Sequence, residues 1–310
     1  MRLFKNLYKR WWLETSKIEV KLKNTKPYIY DICIIKQYGD KYRLMHFNAL
    51  KQKGLENAFT YTPKGSKNEN KTEQNISRAK SRVFELAMCN DWEWFITITL
   101  DPAKYDRQDL NKFRKDFNRF ILDTYKKKGY DVKYLLIPEE HSKGGWHMHG
   151  FIMGLPEEAM RKFTLQEKLP IYILNKLKDG NTVCEWTKYR KKFGFNDCEP
   201  ILNKQACSAY VTKYITKDLS RTVKDSGAHL YYCSQGLNRS KEIKRGKLSK
   251  DVQWDFENEY YSTKWLPDDC DIKSLFMDND SIKNQEFQDT PFLPNCDFYT
   301  GEIGETPWDE

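Results

Sequence analysis

Histidine is scarce in this chain, at five residues in 310. The eight cysteines (positions 33, 89, 184, 198, 207, 233, 270 and 296) include no C-x-x-C pair. That spacing excludes a zinc ribbon and a disulfide scaffold, and implies reduced thiols in a cytoplasmic protein. No run approaches the ~18 apolar residues of a membrane span. The N-terminal MRLFKNLYKRWWLETSK lacks the uninterrupted apolar core of a signal peptide. A G-x-x-x-x-G-K-[ST] loop is missing too, which removes the usual phosphate cradle of an ATP-driven motor.

Charge, by contrast, is abundant and uneven. Residues 251–310 hold 16 Asp/Glu against 3 Lys/Arg, net −13, leaving 28 acids and 50 bases, net +22, on residues 1–250. Aromatics make up 15% of the chain. A basic, aromatic body of this kind implies a polyanionic partner, most simply nucleic acid.

Residues 1–70 form a basic, aromatic N-terminal region with a strand pair expected around Tyr28–Ile35 and Tyr42–Phe47, joined near Gly39-Asp40. The run KGSKNENKT at 64–72 reads as a linker. Residues 71–250 are expected to be the main domain. Helical spacing recurs over 73–89 and again over 109–127, where Leu110, Phe113, Phe117, Phe120 and Ile121 share a side. Between them Trp94–Leu100 (WFITITL) reads as a strand. The order strand, helix, strand, strand is the start of a split β-α-β sheet. Residues 156–195 read as mostly helical and charged, and 251–310 as an acidic, partly disordered tail. The expected class is α+β: a central antiparallel sheet flanked by helices.

Three of the five histidines, His141, His147 and His149, fall in the run PEEHSKGGWHMHGFIMG at 138–154. On a strand, residues i and i+2 point the same way, so His147 and His149 can offer two imidazoles to one metal ion. The preceding KYLLIPEE reads as a partner strand, with Ser142 to Gly145 turning the chain, which can bring Glu139 or Glu140 alongside.

A second run, QACSAYVTKYITKDL at 205–219, reads as one helix with two faces. Tyr210, Lys213, Tyr214 and Lys217 lie within about a third of its circumference, while Val211, Ile215 and Leu219 form a separate apolar stripe. The stripe can do the packing, leaving the tyrosines among lysines to meet an anion. Further on, Arg239, Lys241, Lys244, Arg245 and Lys247 form a basic segment suited to DNA phosphates.

These elements have one chemistry in common. Tyrosine, with a pKa of ~10, is a weak nucleophile at neutral pH. Lysines and a divalent cation make its phenolate more accessible. Two histidines and a carboxylate leave metal positions open for a phosphate oxygen. The sequence resembles the HUH endonucleases, and among them the rolling-circle replication initiators. WFITITLDP is similar to their first strand motif, HMHG to their His-hydrophobic-His signature, and YVTKYITK to their catalytic helix, in the initiators' order. The resemblance covers about residues 90–220. It implies metal ligands at His147 and His149, with Glu139 as the acidic third and Glu140 and His141 as fallbacks, and Mg2+ or Mn2+ as the ion. It implies catalytic roles for Tyr210, Tyr214, Lys213 and Lys217, the two-tyrosine spacing resembling initiators of single-stranded DNA phages. The activity implied is site-specific nicking and rejoining of single-stranded origin DNA through a 5′-phosphotyrosine, served by a host helicase and DNA polymerase. An HUH transposase or relaxase, or a non-catalytic DNA-binding regulator, would share much of this pattern. A His-x-His-x-His nucleotide hydrolase would not, because position 151 is Phe.

Overall fold

The computed structural model describes residues 27–52, 69–140, 145–216, 219–220, 229–258 and 261–276. The fold is α+β, with helices against two antiparallel sheets. The larger sheet is built from Trp94–Thr99 (β3), Lys133–Glu140 (β4), Trp146–Met153 (β5), Met160–Lys162 (β6), Cys184–Trp186 (β7), Asn196–Pro200 (β8) and Tyr232–Cys233 (β9). Its order is β6-β7-β8-β3-β5-β4-β9, so β3 and β5 lie inside it.

Side-chain alternation gives this sheet two unlike faces. One carries Ile96, Ile98, Met148 and Ile152, all buried, and is met by the aromatic side of the helix Leu110–Thr124 (α2). The α2 helix starts where the Asp109 carboxylate accepts a hydrogen bond from the Lys112 backbone N–H at 2.8 Å, a side-chain N-cap. Its Leu110, Phe113, Phe117, Phe120 and Ile121 are all buried, and the Phe117 ring meets Tyr134 of β4 edge-on at 5.1 Å. Behind them Trp186 Nε1 donates to the Tyr125 hydroxyl at 2.7 Å, both residues fully buried. The opposite face carries Thr97, Thr99, His147, His149 and Glu139.

The strands β4 and β5 approach closely at Gly150. A Cβ there would lie 2.0 Å from the Leu135 carbonyl oxygen, so only glycine fits after the second histidine.

Residues 156–195, expected to be mostly helical, instead interleave β6 and β7 with short helices at Ile171–Lys178 (α3) and Thr187–Lys192 (α4), and β8 follows directly. These strands are three to five residues long and polar, so no period-2 pattern develops in them.

The second sheet joins distant parts of the chain. It contains Pro27–Tyr38 (β1), Lys41–Gln52 (β2), Lys241–Gly246 (β10), Phe256–Glu257 (β11) and Tyr261–Leu266 (β12), in the order β10-β1-β2-β12-β11. The expected hairpin is present, longer at both ends, and Gly39 (φ +63°) supplies its turn. Part of the expected acidic tail is therefore sheet: β12 pairs with β2 from Tyr261↔Phe47 to Leu266↔Tyr42. Residues 277–310 lie outside the described set. The helix Glu69–Met88 (α1) begins inside the run read as a linker and ties the sheets together. Its Phe84 and Met88 pack with Tyr38 and Trp265 of the second sheet, and the Arg43 guanidinium lies 5.7 Å and 5.3 Å from the Phe84 and Trp265 rings.

Candidate nucleic-acid and metal site

The register of the large sheet decides which side chains share the polar face. Thr99 is opposite His147, which is opposite Glu139. Thr97 is opposite His149 on one side and Asp197 of β8 on the other. Directly opposed residues point the same way. Glu139 is thus on the histidine face, whereas Glu140, opposite Trp146, is on the other. His141 lies outside the described residues.

The imidazoles are oriented from behind. Thr99 Oγ1 lies 3.0 Å from His147 Nδ1, and Thr97 Oγ1 lies 3.3 Å from His149 Nδ1. A hydroxyl on Nδ1 leaves Nε2 as the outward nitrogen, the arrangement by which ligand histidines are normally fixed. His149 Nε2 is 2.8 Å from a Glu139 carboxylate oxygen. That hydrogen bond, with the nearby charges of His147 and Lys213, holds the Glu139 carboxyl below its ordinary range. Among the described residues, no group of three or more His, Cys, Asp or Glu side chains is spaced to hold a metal ion. Two imidazole nitrogens and a carboxylate on one face are nonetheless a donor set suited to a divalent cation, Mn2+ better than Mg2+ because of the nitrogen donors.

Over this face runs the tyrosine element. Lys204–Val211 (α5) is capped by Asn203, whose side chain accepts from the Ala206 N–H at 3.0 Å. The expected single helix then changes form: Thr212–Tyr214 winds as a 3-10 turn, with the Thr212 hydroxyl donating to the Ala209 carbonyl at 2.7 Å. Val211, Ile215 and Leu219 are buried as the apolar stripe required. The full burial of Val211 and Ile215 contributes roughly 1.5–3 kcal/mol each and pins the tyrosines to the sheet.

Tyr214 lies flat on His149, ring centroids 4.0 Å apart and planes 2° from parallel. Its hydroxyl donates to that of Tyr210 at 3.2 Å, and Tyr210 meets Phe95 edge-on. The Lys213 ammonium is 3.7 Å from the Tyr210 ring centroid and 5.4 Å from that of Tyr214. Burial, the hydrogen bond to Tyr210 and the negative charges of Glu139 and Asp197 push the Tyr214 phenol well above its ordinary range. The fold thus brings together His147, His149, Glu139, Tyr210, Tyr214 and Lys213. Lys217 lies outside the described residues.

The basic segment is placed differently. Lys241, Lys244 and Arg245 are on β10, the edge strand of the second sheet, with Lys247 just beyond. Arg245 forks onto Glu242 with two contacts of 2.8 Å, and the Lys244 ammonium lies 5.3 Å from the Phe276 ring centroid. Arg239 precedes the strand and acts electrostatically on Tyr231 and Cys233 at the β9 edge of the large sheet.

Two residues of the face carry no sequence signal. Asp197 is 3% exposed and accepts a hydrogen bond from the Tyr172 hydroxyl of α3 at 2.8 Å. Burial pushes its carboxyl up to about 6, against the pull of Tyr172, Lys176 and His149. Only the pairing of β8 with β3 puts this pair on the histidine face, with Asp197 two strands from His149.

No curated protein and no solved structure matches the chain. Residues 93–219, which contain the histidines, the tyrosines, Glu139 and Asp197 but neither half of the second sheet, match the family model of replication-associated protein ORF2, a similarity that supports a replication-initiator role.

Proposed function

We propose that the protein is a metal-dependent, site- and strand-specific nickase of single-stranded DNA that starts rolling-circle replication. The observation that carries this reading is the stacking of Tyr214 on His149, which sets a potential nucleophile against a potential metal ligand. His147 and His149 through Nε2, and Glu139 through its carboxylate, would hold the Mg2+ or Mn2+ ion. Such an ion would supply Lewis-acid polarisation of a phosphate oxygen and stabilisation of the charge that develops during attack.

The chain's own residues do the rest. Lys213, beside both rings, stabilises a phenolate that burial otherwise disfavours. A tyrosine oxygen attacks phosphorus, the bond from phosphorus to the 3′ oxygen breaks, and the proton lost by the phenol is balanced by one gained at that oxygen. The products are a 5′-phosphotyrosine and a free 3′-OH that can prime a polymerase. Attack by the 3′-OH reverses the step, so rejoining needs no ATP. Two tyrosines in contact allow one to hold the first cut strand while the other acts on a second. Unwinding falls to a separate helicase, since no P-loop run is present. The test is incubation with Mn2+ and hairpin-bearing single strands from the surrounding DNA, read on a denaturing gel. A covalent protein–oligonucleotide band is expected from the wild type and none from Tyr210→Phe/Tyr214→Phe. A band that persists in the double variant contradicts the nucleophile assignment.

A further inference from the structure

The helix α3 carries an exposed aromatic ring that is held with unusual firmness. Tyr172 is 45% exposed, yet its hydroxyl is tied to the buried Asp197 at 2.8 Å. One turn on, Lys176 Nζ bonds Glu199 at 2.7 Å. Asp197 and Glu199 are alternate residues of β8 and share the face of Thr97 and Phe95, so these two bonds fasten α3 along the histidine face. Ile173 of the same helix is fully buried with Phe163 and Val183, which fixes its depth.

The position of Asp197 follows from register. It is one strand from Thr97, which is one strand from His149. At about 4.8 Å per strand, Asp197 is about 10 Å from His149 along the sheet. At the roughly 3.4 Å rise of a stacked strand, that is about three nucleotides. A buried carboxylate is costly to keep, more so with Glu199 next to it. Here it fixes a partly exposed ring, on a body with a large excess of positive charge.

We propose that Tyr172 is a stacking platform for an unpaired base of the bound DNA strand, a few nucleotides from the phosphate held at the histidines. This rests on the reading that single-stranded DNA enters the site, but not on its being cut there. Asp197 is the positioning residue that keeps the ring from turning into the protein. Stacking on an aromatic ring tolerates any base, so the platform grips the strand without reading its sequence.

The experiment measures equilibrium binding by fluorescence anisotropy in EDTA, with labelled (dT)20 and a strand of the same length made of abasic phosphodiester units. Wild type is expected to prefer (dT)20. Tyr172→Ala should lose about tenfold on (dT)20 and nothing on the baseless strand. Tyr172→Phe and Tyr172→Leu both lack the hydroxyl and leave Asp197 alike, so their difference isolates the ring: Phe, no longer tied to Asp197, should keep part of the (dT)20 affinity and bind more tightly than Leu, which should bind like Ala. Equal binding by Ala and wild type, equal losses on the two strands, Phe and Leu behaving alike, or a wild type without preference for bases would each overturn the platform. Because no cleavage is involved, a protein that forms no covalent adduct yet shows this pattern sinks the nickase reading and leaves the platform standing.

Discussion

The Tyr214 ring and the His149 imidazole lie face to face, 4.0 Å apart and 2° from parallel. The contact joins the two sequence runs of most chemical interest, which are about 60 residues apart, through one pair of rings. It also means that whatever orients His149 orients Tyr214. On the Nδ1 side that group is the Thr97 hydroxyl at 3.3 Å, as Thr99 is for His147 at 3.0 Å, while Glu139 holds His149 Nε2 at 2.8 Å.

The threonines should therefore matter to metal affinity without touching the metal. Replacing Thr99 by Val keeps the shape and removes the partner of Nδ1. Mn2+ titration by calorimetry should show affinity weakened by about 10- to 100-fold for Thr99→Val and for Thr97→Val. Unchanged affinity in both would show that the imidazoles are held by something else.

Asp197 gives a pH signature. Its carboxyl has its folded pKa raised, by burial, to about 6, above the unfolded value of about 3.9. The folded state thus binds its proton more tightly, and the stability this supplies is full below about pH 4 and is lost as pH rises through about 6. An asparagine at this position would not titrate. In urea unfolding without metal, the stability of Asp197→Asn relative to wild type should rise by about 2 kcal/mol between pH 4 and pH 7. A difference that stays flat over that window would place the carboxylate in a more solvated setting than the structure gives it.

Gly150 lies on β5 where it meets β4, the two strands that carry the ligands. Its replacement by Ala drives a Cβ to within 2.0 Å of the Leu135 carbonyl oxygen, and should cost about 3 kcal/mol or more. Gly180→Ala is the control: its φ is also positive, at +82°, but nothing lies within 4 Å of the added atom. It should cost only about 1 kcal/mol, from backbone strain alone. Thermal unfolding of the two variants should separate them clearly, and equal melting temperatures would contradict the close approach of β4 and β5.

Much of the site was legible in the sequence because its parts are local. Trp94–Thr99 announces itself by β-branched and aromatic residues, and His147 and His149 by their spacing on an evident hairpin. Val211, Ile215 and Leu219 show which side of the tyrosine element packs. What the sequence hid depends on tertiary pairing. Asp197 and Tyr172 join the histidine face only through the register of β8 on β3, and β8 is a five-residue strand of mostly polar residues. The strand YSTKWL at 261–266 was obscured by the acidic average of its surroundings, although its own residues favour a sheet. The 3-10 turn at Thr212–Tyr214 was not legible either, since helical periodicity does not distinguish a last tight turn from a continuing helix.

The central claim is that a tyrosine of this element becomes covalently joined to DNA, and trypsin can locate it. Cleavage after Lys204 and Lys213 puts Tyr210 in the peptide 205–213 (QACSAYVTK), while Tyr214 begins the next one, YITK. The most direct measurement is mass spectrometry of the adduct formed with Mn2+ and an origin oligonucleotide, after nuclease trimming and trypsin. A nucleotide mass is expected on one or both of these two peptides. A nucleotide mass found only on peptides outside residues 205–217, or an intact oligonucleotide with no adduct for any strand tested, would contradict it.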